Sequence, residues 1–197
     1  QKNTFLFQLN FNNFDKSIEN IKKIIKKFKQ IDVVINNVGN ANPFKDVINL
    51  KKSDLDNSMN INFYSPYFII LEVLKKNLKS KSSLNVINIS SNTIKFYGSQ
   101  NNTSYLISKN ALEIGLLNLS KIFIKNKIKI NIIRPGLLKT NMKKNLKNYS
   151  HKNFVDRKKL IPIGKLGEPS DISNLVSFLT SKKNKFIFGQ ILTVSGG

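Results

Sequence analysis

Two rhythms of apolar residues alternate along this chain. Thr4 to Leu9 is dense in apolar and aromatic residues and predicts a buried strand. From Asp15 to Phe28, Ile18, Ile21, Ile24, Ile25 and Phe28 recur at helical spacing with lysines between them, which predicts an amphipathic helix. Ile31 to Ile35 predicts a second buried strand, closed by the polar turn Asn36-Asn37-Val38-Gly39. Ser53-Asp54-Leu55 opens a long helix reaching about Leu78, with a kink predicted at Pro66. The alternation continues with a strand over Leu84 to Ile89, a helix from Thr103 to about Lys125, and a strand over Ile128 to Ile133 that Pro135-Gly136 stops. Leu137 to Leu160 is polar and lysine-rich and reads as a mobile segment over a cleft. Gly167-Glu168-Pro169-Ser170 introduces a helix through Leu179 with Ser170 as its cap, and Gln190 to Val194 closes the chain as a last strand.

Buried strands alternating with amphipathic helices specify βαβ units around a parallel sheet, so the expected class is a doubly wound, Rossmann-like α/β fold. Ligands in such folds bind beyond the C-terminal ends of the strands. The polar clusters at Asn36, Ser90 and Pro135 each follow a predicted strand and are expected to meet in one crevice.

Composition narrows the chemistry. At 197 residues the chain supports a single domain. No apolar run approaches the roughly 18 residues of a membrane helix, so no membrane partner is expected. Cysteine is absent, which removes disulfides and thiolate metal sites and fits a cytoplasmic location. His151 is the single histidine, so proton transfer falls mainly to Tyr, Lys or carboxylates. The net charge of +22 raises a nucleic-acid reading. The lysines are spread through a Lys-, Asn- and Ile-rich sequence, however, and local runs such as Lys22, Lys23, Lys26, Lys27 and Lys29 fit a solvated helix face. No recognition motif accompanies them, and no nucleic-acid partner is expected.

Tyr105 and Lys109 stand one turn apart on one helix face. A nearby ammonium favours the phenolate, which is expected to lower the Tyr105 pKa and let it exchange a proton with a carbonyl or alcohol oxygen. None of the other four tyrosines has lysine at the fourth position after it. Ser91 follows a predicted strand and can hold a substrate oxygen against the phenol, or can cap the following turn. Asn62, inside the long helix, is a poor helix former that either sits at the surface or needs a partner, such as a relay water.

Asn36-Asn37-Val38-Gly39, Asn62, Ile89-Ser90-Ser91, Tyr105-x-x-x-Lys109, Arg134-Pro135-Gly136, Gly167-Glu168-Pro169 and the ending Gly189 to Gly197 occur in a set order. Together they resemble the short-chain dehydrogenase/reductase family over essentially the whole chain. The resemblance implies an oxidoreductase that interconverts an alcohol and a carbonyl with NAD or NADP, acting on a small-molecule substrate. It implies a tetrad of Asn62, Ser91, Tyr105 and Lys109. Tyr105 would exchange the proton, Ser91 orient the substrate oxygen, Lys109 tune the phenol and hold the nicotinamide ribose, and Asn62 organise a relay water. It further implies that Asn10, Asn37, Val38 and Gly39 line the adenosine side, and that Pro135, Gly136, Leu138 and Thr140 wrap the nicotinamide and pyrophosphate. A homodimer or homotetramer of the full-length protein is expected.

The sequence departs from the family pattern in places. No glycine precedes Gly39, so the family's glycine-rich turn is missing, and residues 1–197 read as one domain lacking its first two βα units, on the order of 50 residues. Val38 replaces a smaller residue, and Asn10 stands where an acidic one is usual. A non-catalytic, nucleotide- or partner-binding member, or an inactive fragment, is the alternative. The resemblance suggests acyl-carrier thioesters or sugars as substrates, the ending leaning toward sugars, and leaves NAD against NADP open.

Overall fold

The computed structural model describes residues 3–11, 13–41, 45–140 and 158–197. Helix α1 (Phe14–Lys26) starts where the Asn13 side chain accepts a hydrogen bond from the Lys16 amide at 3.1 Å. Strand β1 (Val33–Asn36) follows, then α2 (Lys52–Met59), a π turn (Asn60–Tyr64) and α3 (Ser65–Ser80). Strand β2 (Leu84–Ile89), helix α4 (Thr103–Phe123), strand β3 (Ile128–Pro135), helix α5 (Pro169–Thr180) and strand β4 (Ile191–Val194) complete the order.

The four strands form one parallel sheet in the order β1-β2-β3-β4, in register from Val33 opposite Asn85 through Ile89 opposite Ile133 to Pro135 opposite Val194. Side chains alternate across it. One face sends Leu84, Val86, Ile128, Ile130 and Ile132 into a core completed by Ile25 of α1, Ile70, Val73 and Leu74 of α3, and Leu112, Leu116 and Leu119 of α4. The other face packs Ile87 and Ile133 against Ile172 and Leu179 of α5. Helices on both faces of a parallel sheet make the fold α/β and doubly wound. On the α5 side, Val33 and Ile35 of β1 stay 38% and 53% exposed.

Three expectations change. Thr4 to Leu9 forms no strand and is not buried: Phe5 and Phe7 stand edge-on to Phe28 at 6.0 and 6.5 Å, and Leu6 is exposed. A strand persists only where a neighbour completes its ladder, and β1 pairs with β2 alone among the described strands. The long helix is interrupted before Pro66 by the π turn. Pro66 has no N–H to return to the Asn62 carbonyl, and the Ser65 amide bonds back five residues to the Asn60 carbonyl. Helix α5 is capped at Glu168, whose amide donates to the Asp171 carboxylate at 2.8 Å, rather than at Ser170. Pro169 takes the first helical position, which its fixed φ suits. Of the segment expected over the cleft, residues 141–157 lie outside the described residues.

Candidate active site

The C-terminal ends of β1, β2 and β3 open into a cleft of about 610 Å³. Helix α4 brings Tyr105 and Lys109 to its floor, both buried, at 9% and 2% exposure. The Lys109 ammonium donates to the Val38 carbonyl at 2.6 Å and to the Ile89 carbonyl at 3.0 Å. One lysine thereby ties the turn after β1 to the end of β2. Gly39 permits this approach, since a Cβ there would stand 3.1 Å from the Lys109 Nζ. Burial draws the Lys109 pKa down to about 8, opposed by the carboxylate of Glu113 one turn further along α4.

Tyr105 moves opposite to the sequence-based expectation. Burial raises its pKa, and the hydrogen bond with the Ser91 side chain opposes that only in part. The reason is geometric: the Lys109 ammonium is committed to two carbonyls and stands 6.0 Å from the centre of the phenol ring. The phenol is therefore held in its protonated form.

Ser91 caps the turn that follows it. Its hydroxyl accepts from the Thr93 amide at 3.3 Å, capping the turn Asn92–Phe96, while the same side chain faces Tyr105 across the cleft. Beside it the Ser90 hydroxyl is buried without a hydrogen-bond partner.

Asn62 is fully buried, which removes the surface reading. Its amide oxygen accepts from the Asn40 amide at 2.8 Å, and its nitrogen donates to the Asn40 carbonyl at 2.9 Å and to the Ser108 hydroxyl at 3.1 Å. Ser108 in turn donates to the Tyr105 carbonyl at 3.0 Å. The side chain thus links the turn after β1 to the first turns of α4.

Asn37, Val38 and Gly39 line one wall of the cleft, and Pro135, Gly136, Leu138 and Thr140 line another. Gly136 follows from packing, because a Cβ there would lie 2.7 Å from the Ser195 Cα. Leu138 is fixed by a bridge to Gly167, whose carbonyl accepts from the Lys139 amide at 2.9 Å. Asn10 does not join this wall: it borders a separate hollow beside α1 with Asn13, Lys16 and Ser17.

Two polar pairs with buried members went unread in the sequence. Asn36 donates to Asn88 at 2.6 Å across the ends of β1 and β2. Arg134 grips Glu113 with two nitrogens, its Nε 2.9 Å from one carboxylate oxygen. The available signal was polarity inside apolar runs: Asn88 interrupts β2 and Glu113 interrupts the apolar face of α4, and each needs a partner.

The lining of this cleft suits a nicotinamide dinucleotide. The walls offer apolar Val38, Pro135 and Leu138, a deep ammonium, and the partnerless Ser90 hydroxyl. Among the described residues no group of His, Cys, Asp and Glu could hold a metal ion, and no helix is long and apolar enough to cross a membrane.

Comparison with known proteins finds relatives over nearly the whole chain. The family model described as enoyl-(acyl carrier protein) reductase matches residues 2–197. A 3-oxoacyl-(acyl-carrier-protein) reductase of Buchnera aphidicola is 32% identical over 196 residues, covering 99% of this chain and 78% of the relative. One from Thermotoga maritima is 26% identical over 195 residues, covering 97% and 75%. A 2-dehydro-3-deoxy-D-gluconate 5-dehydrogenase of Dickeya dadantii is 30% identical over 180 residues, covering 90% and 69%.

Proposed function

The chain belongs to the short-chain dehydrogenase/reductase family, and on that premise we propose that it reduces the ketone of a 3-oxoacyl thioester to the alcohol, using NADH or NADPH. The observation that carries this is the convergence of Tyr105, Ser91 and Lys109 in one cleft, with the phenol held protonated. A protonated acid is what carbonyl reduction requires. The acyl substrate follows from the Buchnera and Thermotoga relatives, whose names specify it.

A reduced nicotinamide held between these walls would supply the hydride. As charge grows on the carbonyl oxygen, the Ser91 hydroxyl holds that oxygen and the Tyr105 phenol gives it a proton, leaving an alcohol and a phenolate. The Lys109 ammonium, through Val38 and Ile89, fixes the two turns that face the nucleotide. Asn62 holds Asn40 and Ser108 in place and so fixes the turn after β1 against α4; its further part, carried over from the family resemblance, is to organise a relay water. Pro135, Gly136, Leu138 and Thr140 bound the nicotinamide side, and Asn37, Val38 and Gly39 the ribose side. Helices α3 and α4 leave Phe68, Ile114 and Ile122 at 37%, 62% and 55% exposure, which supports a homodimer or homotetramer through these helices.

The test is turnover of acetoacetyl-coenzyme A, followed by loss of reduced-nicotinamide absorbance, with oxidation of 2-dehydro-3-deoxy-D-gluconate as the comparison. Reduction of the thioester supports the proposal. Turnover of the sugar acid alone moves the substrate class, and binding of nicotinamide without turnover of either replaces the enzyme by a non-catalytic member.

A further inference from the structure

Glu113 is fully buried, yet it touches neither the cleft nor solvent. It lies one helical turn beyond Lys109, on the same face of α4. Its carboxylate takes the Arg134 guanidinium in a two-pronged grip, and Arg134 is the residue directly before Pro135 and Gly136, which line the cleft. Buried carboxylates are costly unless paired, so the position is built for a charge.

We propose that Glu113 is a positioning residue: its buried carboxylate, clamped by Arg134, holds the Lys109 ammonium in its charged form beside Tyr105 and holds α4 against the end of β3. The proposal rests on the acid–base reading given above. The surroundings of Lys109 leave this task to Glu113. From the turn after β1 and from β2 it meets the carbonyls of Val38 and Ile89; on its own helix the Tyr105 ring centre stands 6.0 Å away and Glu113 lies one turn further along the same face. Arg134 of β3 reaches the group through Glu113. Carbonyls accept from an ammonium but add no full charge to offset its burial; the carboxylate does. Arg134 also spreads the Glu113 charge, so the pair sets how strongly Lys109 is held positive, and not merely whether it is.

The test titrates Lys109 directly in the intact chain by NMR of carbon-labelled lysine, its signal assigned by its loss in Lys109→Arg. The native midpoint is expected near 8. Glu113→Gln is expected to lower it by about one pH unit or more, and Glu113→Asp to restore most of the difference. An unchanged midpoint in a folded Glu113→Gln overturns the proposal and leaves Glu113 a structural tie. Should Glu113→Gln not fold, Arg134→Gln decides: removing the guanidinium is expected to raise the midpoint, and a fall or no change overturns the proposal. Because the readout is a titration, it stands apart from turnover. A chain that shows these shifts and reduces no carbonyl overturns the reductase reading while the role of Glu113 stands.

Discussion

Replacing Lys109 by Met converts its burial into a measurable pH dependence of folding. The side chain is 2% exposed, and its pKa falls from 10.5 in the unfolded chain to about 8 in the fold. The unfolded chain therefore binds the proton more tightly than the folded one. The resulting penalty is fully present below pH 8 and fades as the pH rises through 10.5, so stability rises with pH across that window. At pH 7 the difference is worth about 3 kcal/mol, and at pH 10 about 1 kcal/mol remains. Subtracting the unfolding free energy of Lys109→Met from that of the native chain cancels the titration of the many exposed lysines. Urea unfolding followed by circular dichroism at intervals from pH 7 to 10 is expected to show this difference moving by about 2 kcal/mol in favour of the native chain. Loss of the donor to Val38 and Ile89 shifts the whole curve without changing its slope. A flat difference, or one that favours the variant as pH rises, refutes the burial argument.

Three further outcomes follow from the same contacts. Asn62→Ala removes three hydrogen bonds to Asn40 and Ser108 and is expected to cost about 2–4 kcal/mol by urea unfolding, with a loss under about 0.5 speaking against the tie. Gly136→Ala drives a Cβ to 2.7 Å from the Ser195 backbone, so β3 and β4 must part and thermal unfolding is expected to report a loss of about 1–3 kcal/mol. Arg134→Met strands the Glu113 carboxylate in the interior and is expected to destabilise the chain by about 3–5 kcal/mol in the same experiment, more than Arg134→Lys, which keeps the charge.

Strands β2 and β3 and helix α4 were legible because their patterns are local and strong: Leu84 to Ile89 matches the observed strand residue for residue. The Tyr105–Lys109 pair was legible for the same reason, since spacing alone puts the two on one face. Thr4 to Leu9 misled because an apolar run becomes a strand only with a neighbour, and the neighbour is not written in the run itself. The partners of Asn62 lie 22 and 46 residues away, and that of Glu113 lies 21 away. No window along the chain joins them. The pKa of Tyr105 was misread because sequence spacing brings a lysine near without revealing that two carbonyls already hold it.

In the proposed reduction Tyr105 donates the proton to the carbonyl oxygen. The most direct test of that role compares the native chain with Tyr105→Phe for turnover of acetoacetyl-coenzyme A, alongside calorimetric binding of the reduced nicotinamide. The phenyl ring preserves the packing and removes the proton, so the rate is expected to fall by about a hundredfold or more while nicotinamide binding stays within a few-fold. A variant that retains most of the native rate would contradict the assignment of Tyr105 as the acid.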